Sequence, residues 1–336
     1  MRLHPPSYAP VLMAVGLMFT LWGAVTTWVI SAVGLIVVGF AAVRWLDDAR
    51  REPEAAARHS RQQAGPTRGA TVKPEPQAGL HFRMDRRWLH RYAILVAIAT
   101  FALVITGALV TSYPAAPPPF VGRIHLAIAA TVGLLSVALA FGLSGPGWLL
   151  LIGVALEALL GIGSGPVIGA LHALLAQLAF AGTVAIALVT SKVWSEAPEP
   201  VDDSRRLSLR SLSLVTLVLV ILQVSLGAAY RHQAMGVVPH IIGALVVTII
   251  ILLTAVLVTN LYPEHRALRP AAKTLIGITF TQVMLGMAAF ITRLMMAQGT
   301  LPVVIAGVTH VANGALTLAT TALLTLLIRR YVRPVS

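Results

Sequence analysis

Cysteine is missing altogether from the 336 residues of the chain. Disulfide bonds, iron–sulfur clusters, thiolate zinc sites and covalent c-type haem attachment all require cysteine thiols, so the sequence excludes them. Charged residues are scarce too: they make up 11% of the chain, and only 12 residues are Asp or Glu. A chain that is so poor in charge and 57% hydrophobic is not typical of a soluble domain, and its composition indicates an apolar solvent.

The uncharged residues of the chain form long apolar segments. Runs long enough to cross a bilayer as helices recur along the chain, and they lack the alternation of polar and apolar residues that strands of a barrel would show. The predicted fold class is therefore an all-α polytopic membrane protein. Eight spans are predicted in the C-terminal region, at about 90–112, 120–143, 147–163, 167–190, 208–229, 237–260, 271–291 and 301–328.

The first 46 residues are predicted to form a separate transmembrane hairpin, because the apolar region from about residue 10 exceeds one span of about 20 residues. His4-Pro-Pro-Ser-Tyr-Ala-Pro10, before a glycine-rich helix pair that ends in Arg44-Trp-Leu, resembles the small helical hairpins of some bacterial cytochrome oxidase subunits. The alternative is a simple membrane anchor. Residues 47–88 are rich in Pro, Gln, Gly and Arg, and they are predicted to be a flexible cytoplasmic linker.

The placement of the basic residues predicts the orientation of the spans. The chain has 25 Lys and Arg residues and a formal net charge of +13, which elsewhere can indicate nucleic-acid binding. Here all but three of them lie at the termini, in the linker or in loops on the linker's side, and only Arg123, Arg231 and Arg293 lie on the opposite side. The positive-inside rule therefore predicts ten spans in membrane lipid, with both termini cytoplasmic and no nucleic-acid partner.

A repeated two-helix unit divides the eight-span region. Three odd-numbered spans carry a polar residue four positions before a glycine, and the first has the glycine alone: Glu157 and Gly161, Gln223 and Gly227, Gln282 and Gly286, and Gly107. Each of these spans leads through an outer loop into a span that contains a histidine. The sequence thus predicts two pseudo-repeated four-helix bundles, at 89–195 and 205–331.

Four histidines lie near the first end of the even-numbered spans: His125, His172, His240 and His310. One membrane histidine is more often a helix–helix hydrogen-bonding residue than a ligand, but four equivalent ones favour ligation. Two inward imidazoles on different helices of a bundle can hold a haem iron from both faces. A zinc or copper site is the alternative, although no carboxylate or thiolate clusters beside them. Chain order pairs the first two histidines and the last two.

Other residues near the histidines are expected to accommodate such a haem. Arg123, Arg231 and Arg293 are placed where the propionates of a haem in the outer half of the membrane would emerge, and guanidinium groups bind carboxylates through paired donors. The alternative is that they are ordinary interfacial cations. His232 is expected to be solvated. Small residues beside the histidines are expected to leave room for a flat macrocycle: Ala127, Ala129, Ala173, Ala176, Gly243, Ala244, Ala312 and Gly314.

Over about residues 90–330 the chain resembles the haem A synthase family. The resemblance rests on the Gln-x-x-x-Gly helices, the two-fold repeat and the four spaced histidines, and Leu222-Gln-Val-Ser-Leu-Gly-Ala-Ala-Tyr-Arg231 is the most family-like stretch. This family oxidises the methyl group of haem O to a formyl group, giving haem A for cytochrome oxidase. The resemblance implies that His125 and His172 flank the substrate haem, and that His240 and His310 ligate a haem B cofactor.

Two features depart from the family pattern. Gly122 stands where the family usually has the glutamate of Glu-x-x-His-Arg, and the outer-loop cysteine pair of many bacterial members is absent. The missing glutamate is the expected acid/base group of the family. Glu157 is the one acidic residue within a predicted span and shares the first half with His125 and His172, so it is predicted to supply that group from another helix. The alternative is a neutral glutamic acid in the structural place of glutamine.

The resemblance implies a multi-pass enzyme of oxidase biogenesis in a bacterial inner membrane. Haem B would be its cofactor, haem O and haem A its substrate and product, and cytochrome oxidase subunits or haem O synthase its candidate protein partners. The main alternative is a non-catalytic di-haem b protein that passes electrons or hands haem to an oxidase. A transporter with histidines in a proton path is less favoured, because the spans lack paired carboxylates.

Overall fold

The computed structural model describes residues 86–113, 117–143, 145–196, 200–203 and 208–334, together with helical residues at 36, 37, 39–41, 43 and 44. The predicted N-terminal hairpin lies outside the described residues except at those few positions, and the predicted linker lies outside them except for 86–88. The chain divides into two units, Met1–Arg83 and Met84–Ser336. All of the long helices described below belong to the second unit.

Eight long helices in the described part of the second unit have the length and apolar composition to cross a membrane. They are α1 (Arg86–Val110), α2 (Pro119–Leu143), α3 (Gly145–Ile162), α4 (Pro166–Thr190), α6 (Leu209–Arg231), α7 (Val237–Leu261), α8 (Leu268–Met295) and α9 (Leu301–Tyr331). A single turn, α5 (Lys192–Ser195), and two short strands, β1 (Val201–Asp203) and β2 (Val332–Pro334), complete the described elements. The prediction of an all-α polytopic membrane protein is confirmed.

The helix ends differ from the predicted spans by several residues. α1 begins at Arg86 and so before the predicted first half, α8 is longer than predicted at both ends, and α9 continues to Tyr331. Hydropathy locates only the apolar part of a helix, whereas the backbone hydrogen bonds continue into the polar boundary of the membrane. The two strands were not predicted, because three residues are too few for a recognisable pattern.

Each half of the described core closes into a ring of four helices. In the first ring α1 packs on α2, α2 on α3, α3 on α4, and α4 on α1; α6, α7, α8 and α9 repeat this order in the second ring. The two rings meet where α4 packs on α9, α1 on α9, and α4 on α6. Exchanging the two rings leaves this set of contacts unchanged, so the sequence repeat is also a repeat of helix packing.

Helix α9 holds the centre of the bundle, since it contacts helices of both rings and is the most buried of the eight. Its buried Thr317, Thr321 and Thr325 are four residues apart and lie on one face. Each hydroxyl donates to the carbonyl one turn earlier, and that of Thr325 also lies 3.2 Å from the carbonyl of Ser213 in α6. Small polar side chains of this kind allow close approach of helices in a membrane, where apolar burial favours association less than in water.

Side-chain contacts join the two rings at the end of the bundle where α4 and α9 end. Basic residues cluster at this end, and it is called the basic end below. Arg330 donates from Nη2 to the carbonyls of Trp194 and Glu196, and its guanidinium lies 4.6 Å from the centre of the Trp194 ring. The hydroxyl of Tyr331 donates to the carbonyl of Val193 at 2.9 Å. Beside these contacts β1 pairs with β2 in parallel. The opposite end, where α2, α4, α7 and α9 begin, is called the histidine end.

Candidate functional site

All four predicted histidines pack their rings on the repeat glycine of the preceding helix. The pairs are His125 on Gly107, His172 on Gly161, His240 on Gly227 and His310 on Gly286. A Cβ atom added to any of these glycines would lie 2.9–3.2 Å from Cε1 of the ring, which is closer than ordinary van der Waals contact. In every pair Nε2 is the ring nitrogen farther from the glycine. Glycine is therefore the residue that lets an imidazole lie flat between two membrane helices.

In the first ring of helices, His125 is oriented by the residue next to its glycine. Its Nδ1 lies 3.0 Å from Oγ1 of Thr106. The Thr106 hydroxyl donates within its own helix, to the carbonyls of Ala102 and Leu103. When the hydroxyl proton lies on one of these carbonyls, its oxygen accepts from Nδ1–H, and Nε2 of the neutral ring keeps its lone pair.

His172 has the same proton arrangement with a different partner. Its Nδ1 lies 2.9 Å from the backbone oxygen of Glu157 and 3.2 Å from the carboxyl Oε1 of the same residue. A carbonyl oxygen only accepts, so Nδ1 carries the proton and Nε2 keeps its lone pair in the neutral ring. Glu157 is buried, with 5% of its surface exposed. The predicted acid/base group thus lies against His172, on the side of the ring away from Nε2.

In the second ring, His240 is held by the glutamine that precedes its glycine by one turn. Nε2 of Gln223 donates to Nδ1 of His240 at 3.0 Å and to the backbone oxygen of the same residue at 2.8 Å. Nothing among the described residues hydrogen-bonds Nε2 of His240. The side-chain oxygen of Gln223 is buried without a hydrogen-bond partner.

His310 departs from this pattern because a second amide fixes its glutamine. Asn313 donates to the carbonyl of Ile278 at 3.0 Å and to Oε1 of Gln282 at 2.9 Å. Gln282 therefore turns its amide nitrogen towards His310, 3.4 Å from Nε2, at the outer limit for a hydrogen bond. Nδ1 of His310 is buried without a partner. Buried polar atoms without partners are rare in proteins, and the second ring has two of them beside its histidines, Oε1 of Gln223 and Nδ1 of His310.

The rings of His240 and His310 have the separation that a shared metal ion needs. Their centroids are 6.2 Å apart and their planes cross at 86°. A metal ion bound by two imidazoles lies about 2.0–2.1 Å from each nitrogen, which separates the ring centroids by about 6 Å. The pair therefore fits one haem iron in spacing, provided that iron replaces the long contact from Gln282. Among the described residues, no three His, Cys, Asp or Glu side chains are grouped to hold a metal ion.

Arg231 ties the two rings together at the histidine end. Its Nε donates to the hydroxyl of Thr111 at 2.9 Å, and its Nη2 donates to the hydroxyl of Ser112 and to the carbonyl of Ala108. These groups form the end of α1, where carbonyls lack partners within the helix. Nη1 lies on the other side, near Gly307 of α9, one turn before His310. The predicted ligand-binding residue thus has a structural role as well.

The other two predicted arginines lie in different surroundings. Arg293 places its guanidinium 5.1 Å from the centre of the Tyr230 ring, and its charge interacts with that of Arg231. Arg123 is exposed and bonds only weakly to its own helix, to the carbonyl of Pro119 at 3.4 Å. The structure therefore brings Arg231 and Arg293 together and gives Arg123 no contact with them.

Several details differ from the sequence-based expectations. His232 is half-buried against Gly169 of α4 rather than solvated, and burial, with Arg231 and His172 nearby, holds its pKa below the ordinary value. Two of the small residues expected to leave room for a macrocycle instead accommodate the glutamines: Gly243 lies against Gln223, and Gly314 against Gln282. Sequence reasoning also missed Thr106 and Asn313. Their positions, one residue before a repeat glycine and three residues after a histidine, were the available signals.

The glycine contacts can be tested within one helix. In Gly286→Ala the new Cβ would lie 2.9 Å from Cε1 of His310, whereas Gly277→Ala meets nothing within 4 Å. We expect Gly286→Ala to displace the ring and to lower the free energy of unfolding by about 1–3 kcal/mol. The control Gly277→Ala should be neutral or stabilising by up to about 1 kcal/mol. Thermal unfolding of the detergent-solubilised protein measures both, and equal melting temperatures would contradict the contact.

A comparison with models of known protein families gives no match for this chain, and no curated protein matches its sequence.

Proposed function

We propose that the eight-helix core is a haem-binding membrane protein with the activity of haem A synthase, oxidising the methyl group of haem O to a formyl group. The single observation that carries this proposal is the pair His240 and His310 in the second ring of helices, with imidazole centroids 6.2 Å apart. Repetition of the histidine–glycine contact in the first ring supports a second haem site of related construction.

The second ring is the proposed site of a haem B cofactor, with His240 and His310 as the iron ligands. Haem iron supplies one-electron chemistry when it is bound. Gln223 contacts Nδ1 of His240, the ring nitrogen where the outer partner of a metal-binding histidine lies, and ligation through Nε2 would require its amide oxygen to accept from Nδ1–H. The amide of Gln282 lies 3.4 Å from Nε2 of His310 and would have to give way to the iron.

The first ring is the proposed site of the substrate haem. Here Thr106 and the backbone of Glu157 accept from Nδ1–H of His125 and His172, so that both rings present Nε2 as a ready acceptor or ligand. This tautomer differs from that of His240, whose Nδ1 faces an amide donor. The histidines of the first ring are thus pre-set for ligation, while Glu157 can hold or take the proton at Nδ1 of His172.

The arginines at the histidine end are proposed to bind the acidic groups of these haems. Arg231 retains Nη1 on the side of α9 after its hydrogen bonds to α1, and Arg293 lies close to it. The described loop residues at this end include no Asp or Glu, so two neighbouring cations there favour an anionic ligand. Arg123 remains a candidate for the first-ring site, where its side chain is exposed.

The second candidate function is that of a non-catalytic di-haem b protein that passes electrons or hands haem to an oxidase. The observation in its favour is the orientation of Glu157, which contacts Nδ1 of His172 rather than the side of Nε2. Gly122 has no side chain to supply a proton in its place. Pigment extraction from the purified protein separates the two functions: haem O or A beside haem B indicates the enzyme, haem B alone indicates the electron carrier, and the absence of haem rejects both.

The proposed setting is a bacterial inner membrane, with both termini cytoplasmic and the histidine end facing outwards. Cytochrome oxidase subunits or haem O synthase are the proposed protein partners, and the N-terminal hairpin at 1–46 would dock the core to them. The basic end carries Lys192, Arg210, Arg269, Lys273 and Arg330, whereas the histidine end carries the three arginines already described. That asymmetry supports the orientation.

Orientation can be tested cleanly because the chain has no native cysteine. Met235 lies in the exposed loop between α6 and α7 at the histidine end, and Glu264 lies in the loop between α7 and α8 at the basic end. We expect a membrane-impermeant maleimide to label Met235→Cys in intact cells, and to label Glu264→Cys only after lysis. The reverse pattern would place the histidine end in the cytoplasm and would reject the proposed topology.

If His240 and His310 ligate one iron, replacing either histidine should remove the haem that both of them hold. His240→Ala and His310→Ala should each abolish the same low-spin b-type signal, because removing either ligand leaves the iron with one protein partner. The reduced absorption spectrum measures the signal. His265→Asn is a matched control: it keeps an acceptor for the backbone N–H groups of Ala267 and Leu268 at the basic end, and its haem content should be unchanged. Full haem B in both alanine variants would reject the assignment.

Glu157 has two roles to be separated, orienting His172 and moving a proton in the reaction. Its contact with Nδ1 leads us to expect that Glu157→Gln keeps both pigments and haem A formation, because the amide oxygen still accepts from Nδ1–H. Glu157→Leu should weaken haem retention in the first ring alone. The measurements are haem content and haem A yield. The acid/base hypothesis makes the opposite prediction for Glu157→Gln, namely loss of haem A with haem B retained, and normal haem A formation would reject it.

A further inference from the structure

An open groove of about 340 Å³ runs along the seam between the two rings, where α1, α4 and α9 meet. Its walls include Ile94, Ala97 and Ile98 of α1, Ala187 of α4 and Leu316 of α9, and every lining residue is apolar. Ile94 and Ile98 are 41% and 62% exposed. The groove therefore has the surface chemistry of a hydrocarbon chain, and it lies away from the histidine–glycine contacts, closer to the basic end.

Two of the residues that line the groove are smaller than their counterparts in the second half of the repeat. When the two halves of the repeat are aligned so that Gly107 matches Gly227, Ala97 matches Leu217. When His172 is matched with His310, Ala187 matches Thr325. Ala97 and Ala187 therefore leave space between α1 and α4, although other lining residues, such as Phe101 and Phe180, are larger than their counterparts Ile221 and Leu318.

Cations surround the end of the groove that faces the basic end of the bundle. Arg91 is one helical turn before Ile94 on the same stripe of α1, and it is exposed, with its guanidinium 5.6 Å from the centre of the Trp88 ring. Arg86 donates to the carbonyl of Val189 at 3.2 Å, just beyond the groove on α4. Lys192 is exposed where α5 follows α4. None of α1, α4, α5 or α9 contains an acidic residue.

We propose that this groove binds one anionic phospholipid, with an acyl chain along the apolar seam and its phosphate among Arg86, Arg91 and Lys192. The groove residues from Ile94 to Phe101 cover about 10 Å of helix, which suits part of an acyl chain. Trp88, 65% exposed, lies on the turn where a tryptophan marks the polar boundary of a membrane, at the level of lipid headgroups. Basic pockets between membrane helices bind anionic headgroups in this way.

The positive charge at the end of the groove that faces the basic end favours an anionic lipid over uncharged apolar occupants. A neutral isoprenoid chain or an apolar helix would fill the groove without any use for three cations. Anionic headgroups gain from each basic side chain near the membrane surface, and the four helices around the groove carry no carboxylate of their own, with Glu196 following α5. The lipid would bridge both rings at the seam between α1, α4 and α9. This inference is independent of haem binding.

Lipid retention by the purified full chain tests the proposal. We expect one phosphatidylglycerol or cardiolipin per chain to survive purification in mild detergent, measured by native mass spectrometry. Arg91→Gln should weaken retention by about fivefold. Ala97→Leu, which introduces the residue of the second half, should remove it. Lys273→Gln is the matched control, since it neutralises an exposed cation of the same end on α8, and it should leave retention unchanged.

A photo-crosslinking residue at Ile98 identifies the occupant even if a groove variant folds poorly. An adduct with the mass of an anionic phospholipid supports the proposal. An adduct with a peptide from residues 1–46, with another protein or with a neutral isoprenoid would overturn it. So would equal lipid retention in Arg91→Gln, Ala97→Leu and Lys273→Gln, because the bound lipid would then be a general shell around the protein.

Discussion

Imidazole rings in an apolar medium impose the constraint from which the rest of this structure follows. A ring nitrogen that loses water must find another hydrogen-bond partner, and the helix that brings the partner must come close enough to provide it. In each repeat unit, two residues of one helix provide the close approach and the hydrogen-bond partner. A glycine lets the neighbouring helix place its imidazole in contact with the backbone, and a polar group within one turn reaches that ring. This contact also fixes the spacing of the helix pairs from which each four-helix ring is assembled.

Duplication preserved the contact between glycine and histidine but not the chemistry of the ring nitrogens. In the first ring the backbone carbonyl of Glu157 accepts from Nδ1–H of His172, whereas in the second ring the amide of Gln223 donates to Nδ1 of His240. A neutral imidazole has one donor and one acceptor nitrogen, so the partner at one nitrogen determines what the other can do. The two four-helix rings therefore hold histidines whose ring nitrogens are hydrogen-bonded differently, and this difference supports separate roles for the two sites.

The sequence predicted the features that depend on periodicity and missed those that depend on side-chain direction. Apolar length identified eight spans, and the spacing of Gly227, Gly286 and their histidines identified the repeat. Hydropathy did not give the helix ends, because hydrogen-bonded helices continue past their apolar residues. The role of Arg231 at the end of α1 joins residues 120 positions apart, a contact that no local pattern contains. Thr106 and Asn313 were missed for a similar reason, since a threonine or asparagine in a helix has several partners within reach.

The seam between the rings gives the two proposed sites a common wall. α4 carries His172 and α9 carries His310, and these two helices pack directly on each other. Arg231 strengthens the same boundary, because it leaves the second ring, closes the end of α1 in the first, and contacts α9 one turn before His310. The two proposed sites are therefore joined through packed helices and a shared arginine rather than through a loop. If the first ring binds a substrate haem and the second a resident one, electrons need to cross only this wall.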